Sequence, residues 1–186
     1  LFVFDEGHMF DDGGRGATQA ADTIETVYAL GVKKIIAVGM CGIYSDLVNI
    51  GDIIIPNKVY IEEGTSMHYY SRIEFSESNS ELNKVLFNRL NKTNNVYNYP
   101  IVTTDAVFRE TYAKEQNWRE KGCIGVDMES STVLSISNYL GVNASVILIA
   151  SDKHPLNSDD NWKWSLSKKR FQYIKQCIES IISIKF

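Results

Sequence analysis

Four short polar clusters stand where this 186-residue chain could do acid–base and hydrogen-bond chemistry. Gly39-Met40-Cys41-Gly42 follows the apolar run Ile35–Val38, and Thr103, Thr104 and Asp105 follow Ile101-Val102. Ser151, Asp152 and Lys153 follow Val146–Ala150. Asp127-Met128-Glu129-Ser130-Ser131 stands at the entry of a helical segment, where Asp and Ser are favoured caps. In open α/β sheets ligands bind outside the carboxyl ends of the strands. The spacing therefore predicts that the four clusters meet at one sheet edge and line a small-molecule site. Each piece also has a plainer reading. Gly39 and Gly42 serve equally as turn glycines, Asp127 with its serines as a helix cap, Asp152 as a turn residue and Met128 as core filler. His68, Tyr69 and Tyr70 read as an exposed loop, and Trp162 with Trp164 as helix packing.

The elements that must position these clusters follow from periodicity. Leu1–Phe4 is a short apolar run entering the stretch Asp11-Asp12-Gly13-Gly14-Arg15-Gly16. Ala20, Ala21, Ile24, Val27 and Leu30 recur at helical period, and Gly31 supplies the C-terminal cap. Lys33–Gly39 reads as a strand buried on both faces. Strand, glycine turn, helix and strand in this order predict a parallel βαβ unit. Further strands are expected at Asp52–Ile55, Val59–Ile61, Ile101–Thr104 and Ala144–Ala150. Helices are expected at Thr111–Lys121, Glu129–Leu140 and Trp162–Ile184, and Glu81–Leu90 is an amphipathic stretch within a polar region. The pattern predicts one α/β domain over residues 1–186, three-layered, with a mixed, mostly parallel central sheet flanked by helices.

Composition narrows the function. Nineteen Lys and Arg against 23 Asp and Glu give a formal net charge of −4, which lacks the cationic field of a nucleic-acid or anionic-membrane binder. Hydrophobic residues make up 44%, and the mean hydropathy is −0.17, so the chain can bury a full core. No apolar run approaches the roughly 20 residues of a spanning helix, and no secretory signal is visible. Cys41, Cys123 and Cys177 form no CxxC pair, and His8, His68 and His154 stand far apart, so neither a disulfide framework, a metal nor a cofactor is expected. Reduced thiols fit a cytoplasmic protein. Because the chain opens at Leu1 rather than Met, its natural N-terminus is expected to lie upstream.

Taken in order, six segments resemble the nucleoside phosphorylase and nucleosidase superfamily, over nearly the whole chain from about Gly13. They are Gly31-Val-Lys-Lys-Ile-Ile-Ala-Val-Gly-Met-Cys-Gly42, Gly51-Asp-Ile-Ile-Ile-Pro56, Glu63-Gly-Thr-Ser-Met-His-Tyr69, Thr103-Thr-Asp-Ala-Val-Phe108, Val126-Asp-Met-Glu-Ser-Ser131 and Ala150-Ser-Asp-Lys153. The resemblance implies that Glu129 grips the ribose 2′ and 3′ hydroxyls with Met128 against the sugar. It implies that Asp152 protonates or hydrogen-bonds a departing purine. Cys41 and Gly42 match the segment flanking the base, Thr103 and His68 belong to the same pocket, and Val107 or Phe108 supplies its apolar wall.

The departures from the family pattern concern phosphate. Phosphorylases usually carry Arg at the position of Ala37 and Ser or Thr at that of Met40, and both hold the phosphate nucleophile. Alanine and methionine offer no charge-assisted bond. The remaining candidates are backbone groups at Gly39, Gly13 and Gly14, with Arg15. The resemblance therefore implies base release from a purine nucleoside or nucleotide, with hydrolysis favoured and phosphorolysis the alternative. A non-catalytic nucleoside-binding protein is the reading from another class. Lys153, His68 and Arg109 are the candidates to meet a 5′-phosphate, and Glu6, Asp11 and Asp12 to activate water. Family members have a further N-terminal segment and complete their sites across subunits, which implies a homodimer or larger homo-oligomer.

Overall fold

The computed structural model describes residues 2–4, 8–155 and 170–182. Its main sheet has eight strands. They are β3 (Lys34–Ile43), β4 (Ile53–Ile54), β5 (Lys58–Glu62), β6 (Phe75–Glu77), β7 (Val96–Tyr97), β8 (Ile101–Thr104), β9 (Gly125–Asp127) and β10 (Asn143–Lys153). Their order across the sheet is β6-β5-β8-β9-β3-β10-β4-β7. The helices are α1 (Ala17–Ala29), α2 (Ser80–Leu90), α3 (Tyr112–Glu120), α4 (Ser130–Tyr139) and α5 (Arg170–Ile182). The expected three-layer α/β architecture is present.

Side-chain alternation on β10 defines the layers. Ala144, Val146, Leu148 and Ala150 pack in one cluster with Ala20, Ala21 and Ile24 of α1 and Val133, Leu134 and Ile136 of α4. Ile147 and Ile149 face the other way, against Leu86 and Leu90 of α2 and Cys177 of α5. α3 brings fully buried Trp118 against Tyr44, Val102 and Val126, nearer β8 and β9. The period-2 pattern of a strand and the 3.6 period of a helix meet in each layer.

Helix ends follow local chemistry. Asn79 caps α2 by accepting from the Leu82 N–H, and Thr111 caps α3 through Lys114. Gly31 and Gly141 end α1 and α4 with φ of 90° and 71°, a left-handed turn that a Cβ would oppose.

Several expectations are corrected. β1 (Phe2–Phe4) turns back on β2 (His8–Phe10) as a separate antiparallel pair, so its ladder is spent on a hairpin and the expected βαβ unit does not form. β3 does not stop at Gly39. It stays paired with β10 to Ile43, which puts Gly39-Met40-Cys41-Gly42 inside the strand. It is also half-covered rather than buried on both faces. Asp127 belongs to strand β9, which has only three residues and too little pattern to announce itself. β6 and β7 likewise lie in a stretch read as polar. The Trp162–Lys169 part of the expected C-terminal helix lies outside the described residues.

Strand direction is the feature that matters for the site. β5, β8 and β9 are mutually parallel, and so are β3 and β10, but β9 meets β3 antiparallel. The two blocks therefore run in opposite directions, and the four polar clusters do not share one carboxyl edge. They meet at the seam between blocks, where β9 pairs only with Gly42 and Ile43. The chain leaves β9 after Asp127, so among the described residues the N-terminal part of β3 has no strand partner on that side. Met40 is accordingly 37% exposed.

The seam is closely packed. A Cβ on Gly125 would stand 2.8 Å from the Gly42 carbonyl oxygen, a backbone atom with no freedom to yield cheaply. Gly125→Ala is expected to cost about 1–3 kcal/mol of stability, as overpacking does. Urea unfolding with an unchanged m-value checks it.

Candidate active site at the strand seam

The site is built on a buried polar lattice under α4. Thr103 donates its hydroxyl to Asp127 Oδ1 at 2.6 Å and accepts from the Ser131 N–H at 2.9 Å. Asp127 Oδ2 accepts from the Ser130 N–H at 2.9 Å and from the Ser130 hydroxyl, which satisfies the first turn of α4. Burial pushes the Asp127 carboxyl up to about 6, against the pull of its bonds from Ser130 and Thr103. Glu63, also buried, accepts from the Ser66 N–H at 3.0 Å, the Ser66 hydroxyl and the Ser131 hydroxyl at 3.0 Å. Thr103 is 0% exposed and committed on both sides, so it scaffolds the site rather than facing its space.

This lattice fixes the start of α4, and with it Glu129. Glu129 Oε1 accepts from the Gly16 N–H at 2.6 Å, tying the start of α1 to the start of α4. Gly16 has φ of 83°, a conformation that favours glycine. Glu129 Oε2 makes no hydrogen bond among the described residues, and Glu129 and Met128 are both half-buried.

Asp152 is placed by a bulge. Uninterrupted alternation along β10 would send it to the α1/α4 face, into the core beside Leu148 and Ala150. The register instead shifts between Ala150 and Asp152, pairing Ala150 with Cys41 and Asp152 with Gly42. A bulge re-aims the side chains that follow it. Asp152 Oδ2 then lies 3.3 Å from His154 Nε2, and His154 Nδ1 lies 2.7 Å from Glu115 Oε1. Gly42 has to be glycine here, because a Cβ would stand 2.5 Å from His154 Nε2 and 3.2 Å from Asp152 Oδ2.

Cys41 is 3% exposed, and burial, then the charges of Asp127 and Asp152, hold its thiol well above the usual range. It is a buried neutral thiol rather than a nucleophile. The segment after β8 is anchored at both ends. Asp105 Oδ2 accepts from the Gly64 N–H at 2.9 Å, and Glu110 Oε2 lies 3.9 Å from His154 Nδ1. Between these anchors Val107 is 37% and Phe108 95% exposed. Phe108 is an aromatic ring held out by a fixed loop, and of the two wall candidates it has the more open surface.

The phosphate candidates are differently placed. In the loop before α1 the Gly14 N–H donates to Asp12 Oδ1 at 3.2 Å and the Arg15 N–H to Gln19 Oε1 at 2.6 Å. With Gly16 on Glu129, three successive amides are taken by side chains of the chain itself. Gly13 is exposed in the same loop. Gly39 lies inside the β3 ladder opposite Leu148. Lys153 pairs with Asp46 at 2.8 Å, while His68 and Arg109 are exposed. Glu6 lies outside the described residues.

Sequence reasoning missed Glu110, Glu115 and His154, which fall within 4.8 Å of one another. The signal was the two-residue spacing of Asp152 and His154, which share a face of an extended chain. Glu110 and Glu115 gave none. Burial lowers the proton affinity of His154, but its bonds to Asp152 and Glu115 more than offset this and raise it to about 9.

This proton is a stability statement. The native state binds it more tightly than an unfolded chain with a histidine near 6.5, so its contribution is complete below pH 6.5 and lost as pH rises through about 9. Unfolding free energy is expected to fall by on the order of 3 kcal/mol over that interval. Denaturant titrations at pH 6.5 and 9 check it, and His154→Gln should flatten the difference.

A separate groove of about 530 Å³ lies beside α2, lined by Asn57, Glu77, Lys84, Phe87 and Asn98 among others. None of the residues singled out from sequence lines it. Among the described residues, no helix is long and apolar enough to cross a membrane.

Comparison with known proteins shows the family and the fold. Residues 9–182 match the model of a family described as Phosphorylase superfamily. The chain is 26% identical over 155 residues to a guanosine phosphorylase of Halorubrum lacusprofundi, covering 79% of this chain and 64% of the relative. It is 29% identical over 130 residues to a purine nucleoside phosphorylase DeoD-type of Clostridium beijerinckii, covering 69% and 55%. It thus spans less than two thirds of either curated relative. The fold superposes on the crystal structure of an AMP nucleosidase from Bacteroides thetaiotaomicron with a TM-score of 0.70, at 21% identity, covering 91% of this chain and 69% of that one. With a family match running through the seam, both anchoring helices and the bulge, the chain belongs to the phosphorylase superfamily.

Proposed function

We propose that the chain cleaves the N-glycosidic bond of a purine nucleoside or nucleotide, releasing the free base, with water as the acceptor. The observation that carries this reading is the bulge at Ser151. It sets the Asp152 carboxyl beside Gly42, one rung from Cys41 and its neighbour Asp127, at the seam from which Glu129 emerges. In this reading Glu129 Oε2 accepts from the ribose diol while Oε1 stays on Gly16, and Asp152 gives a proton to the departing purine. Positive charge on the sugar ring grows as the bond loosens, and a fixed carboxylate beside it gains strength at that moment. Phe108 and Met128 provide apolar surface beside the base and sugar.

Two features support water over phosphate. Ala37 and Met40 bring neither charge nor donor. The amides of Gly14, Arg15 and Gly16 already serve Asp12, Gln19 and Glu129, and two of those are carboxylates that repel an anion. A homodimer or larger assembly belongs to this reading by resemblance. So does a cytoplasmic location, in keeping with three unpaired, buried thiols.

The test is chromatographic release of base from adenosine, inosine, guanosine, uridine and AMP, with and without phosphate, and identification of the sugar product. Purine release with free ribose, or ribose 5-phosphate from AMP, independent of phosphate is the expected result. A strict phosphate requirement with ribose 1-phosphate as product would replace hydrolysis by phosphorolysis.

A further inference from the structure

His154 follows the end of β10, two residues after Asp152, and reaches across to α3. Its two ring nitrogens each face a carboxylate, Nε2 to Asp152 at 3.3 Å and Nδ1 to Glu115 at 2.7 Å. The far oxygen of Glu115 accepts from Arg119 Nη2 at 3.1 Å. Arg119 is itself fixed, with Nε donating to the Tyr44 carbonyl at 3.0 Å and its guanidinium over the Tyr44 and Tyr112 rings. The His154 and Glu115 side chains are 6% and 7% exposed, so the row is buried and held from both ends.

An imidazole flanked this way satisfies both acceptors only when both nitrogens carry hydrogen. Resting on the reading that Asp152 protonates a departing purine, we propose that His154 is the positioning residue for that acid. Its Nε2–H orients the Asp152 carboxyl and then replaces the proton that Asp152 gives away.

Ser151 supplies an independent geometric reason for a proton on Asp152. Its hydroxyl lies 3.1 Å from the Cys41 carbonyl and 2.6 Å from Asp152 Oδ1, yet it has one hydrogen. A protonated Oδ1 resolves the conflict, because Asp152 then donates to Ser151 and Ser151 donates to Cys41.

Among the described residues, groups facing His154 come from three elements. They are Asp152 on β10, Glu115 and Arg119 on α3 with Glu110 just before it, and Tyr44 at the end of β3, 6.3 Å from ring to ring. Burial pushes the Glu110 carboxyl up to about 7, with the His154 charge pulling it back.

The proton balance closes over one turnover. The C–N bond breaks with its electron pair going to the purine, which takes the Asp152 proton. Asp152 takes the Nε2 proton, and His154 is left neutral with its Nδ1–H on Glu115. Water forms the new C–O bond, its proton goes to solvent, and one returns from solvent to Nε2.

The test uses the whole chain with two nucleosides and one spectroscopic readout. Guanosine needs a proton to leave, whereas 7-methylguanosine carries a cationic purine that leaves as a neutral base without one. His154→Gln is expected to lower kcat on guanosine by about tenfold or more and to leave 7-methylguanosine nearly unchanged. Equal losses on both, or none on either, would overturn the proposal. In the unmutated protein, ¹⁵N NMR should find both His154 nitrogens protonated at pH 7.5, and a single neutral tautomer in an active enzyme overturns the relay alone. An unmutated chain that releases base from neither of these nor from adenosine, inosine or AMP overturns the relay together with the cleavage reading.

Discussion

Asp152→Asn is expected to slow purine release by about 10²–10⁴-fold, the range that a positioned general acid contributes. An amide keeps the shape of the carboxyl and its contact with His154, so the fold should survive. The decisive readout is kcat on an ordinary purine nucleoside beside circular dichroism of the same sample. Intact structure with wild-type turnover would remove Asp152 from the chemistry. The size of the effect follows from the leaving group, since an unprotonated purine departs as an anion. The structure adds why this residue and not a neighbour is suited to the task. Ser151 is pushed out by the bulge, Lys153 is paired with Asp46, and only Asp152 is turned toward Gly42 and His154.

Glu129→Ala should reduce kcat/KM on ribonucleosides by about 10²–10⁴-fold, from two charge-assisted hydrogen bonds at about 1.5–3 kcal/mol each. It also releases the Gly16 N–H, which Glu129 holds at 2.6 Å, so the junction between α1 and α4 loosens. A 2′,3′-dideoxynucleoside separates the two effects. It has no hydroxyls to lose, so the variant should cost far less on that substrate if the diol is what Glu129 grips. An equal loss on both would assign Glu129 to the junction alone.

The strands that carry long apolar runs were legible from residues, and so were α1, α3, α4 and the described part of α5, while α2 showed only as an amphipathic stretch. β8 and β10 announce themselves by Ile101–Thr104 and Ala144–Ala150, and Gly31 and Gly141 mark the ends of α1 and α4. Strand direction was not legible. A three-residue strand such as β9 has no period to read, yet it is the element that turns one block of the sheet against the other. The polar clusters therefore come together at a seam, where sequence reasoning placed them on an edge.

The same limit governs the site. Thr103 was singled out as a pocket residue because it follows an apolar run, but a hydroxyl that bridges Asp127 and Ser131 cannot be told from a free one in sequence. His154 shows the converse. Its partners Glu110 and Glu115 are 44 and 39 positions away and lie on another layer, so only the folded chain brings them into contact. Gly42 was read as a turn or a base-flanking residue. Its reason for being glycine is the imidazole that occupies the place of its side chain.

Glu129 and Asp152 are proposed to address the two ends of one nucleoside, and everything said of the mechanism depends on that. A crystal structure of the chain with a purine C-nucleoside, whose carbon–carbon bond cannot be cleaved, tests it most directly. The expected complex has the ribose 2′ and 3′ hydroxyls within hydrogen-bond reach of Glu129, the five-membered ring of the base at Asp152 and Phe108 against its face. A ligand seated in the groove beside α2, or one that touches neither carboxylate, would contradict it.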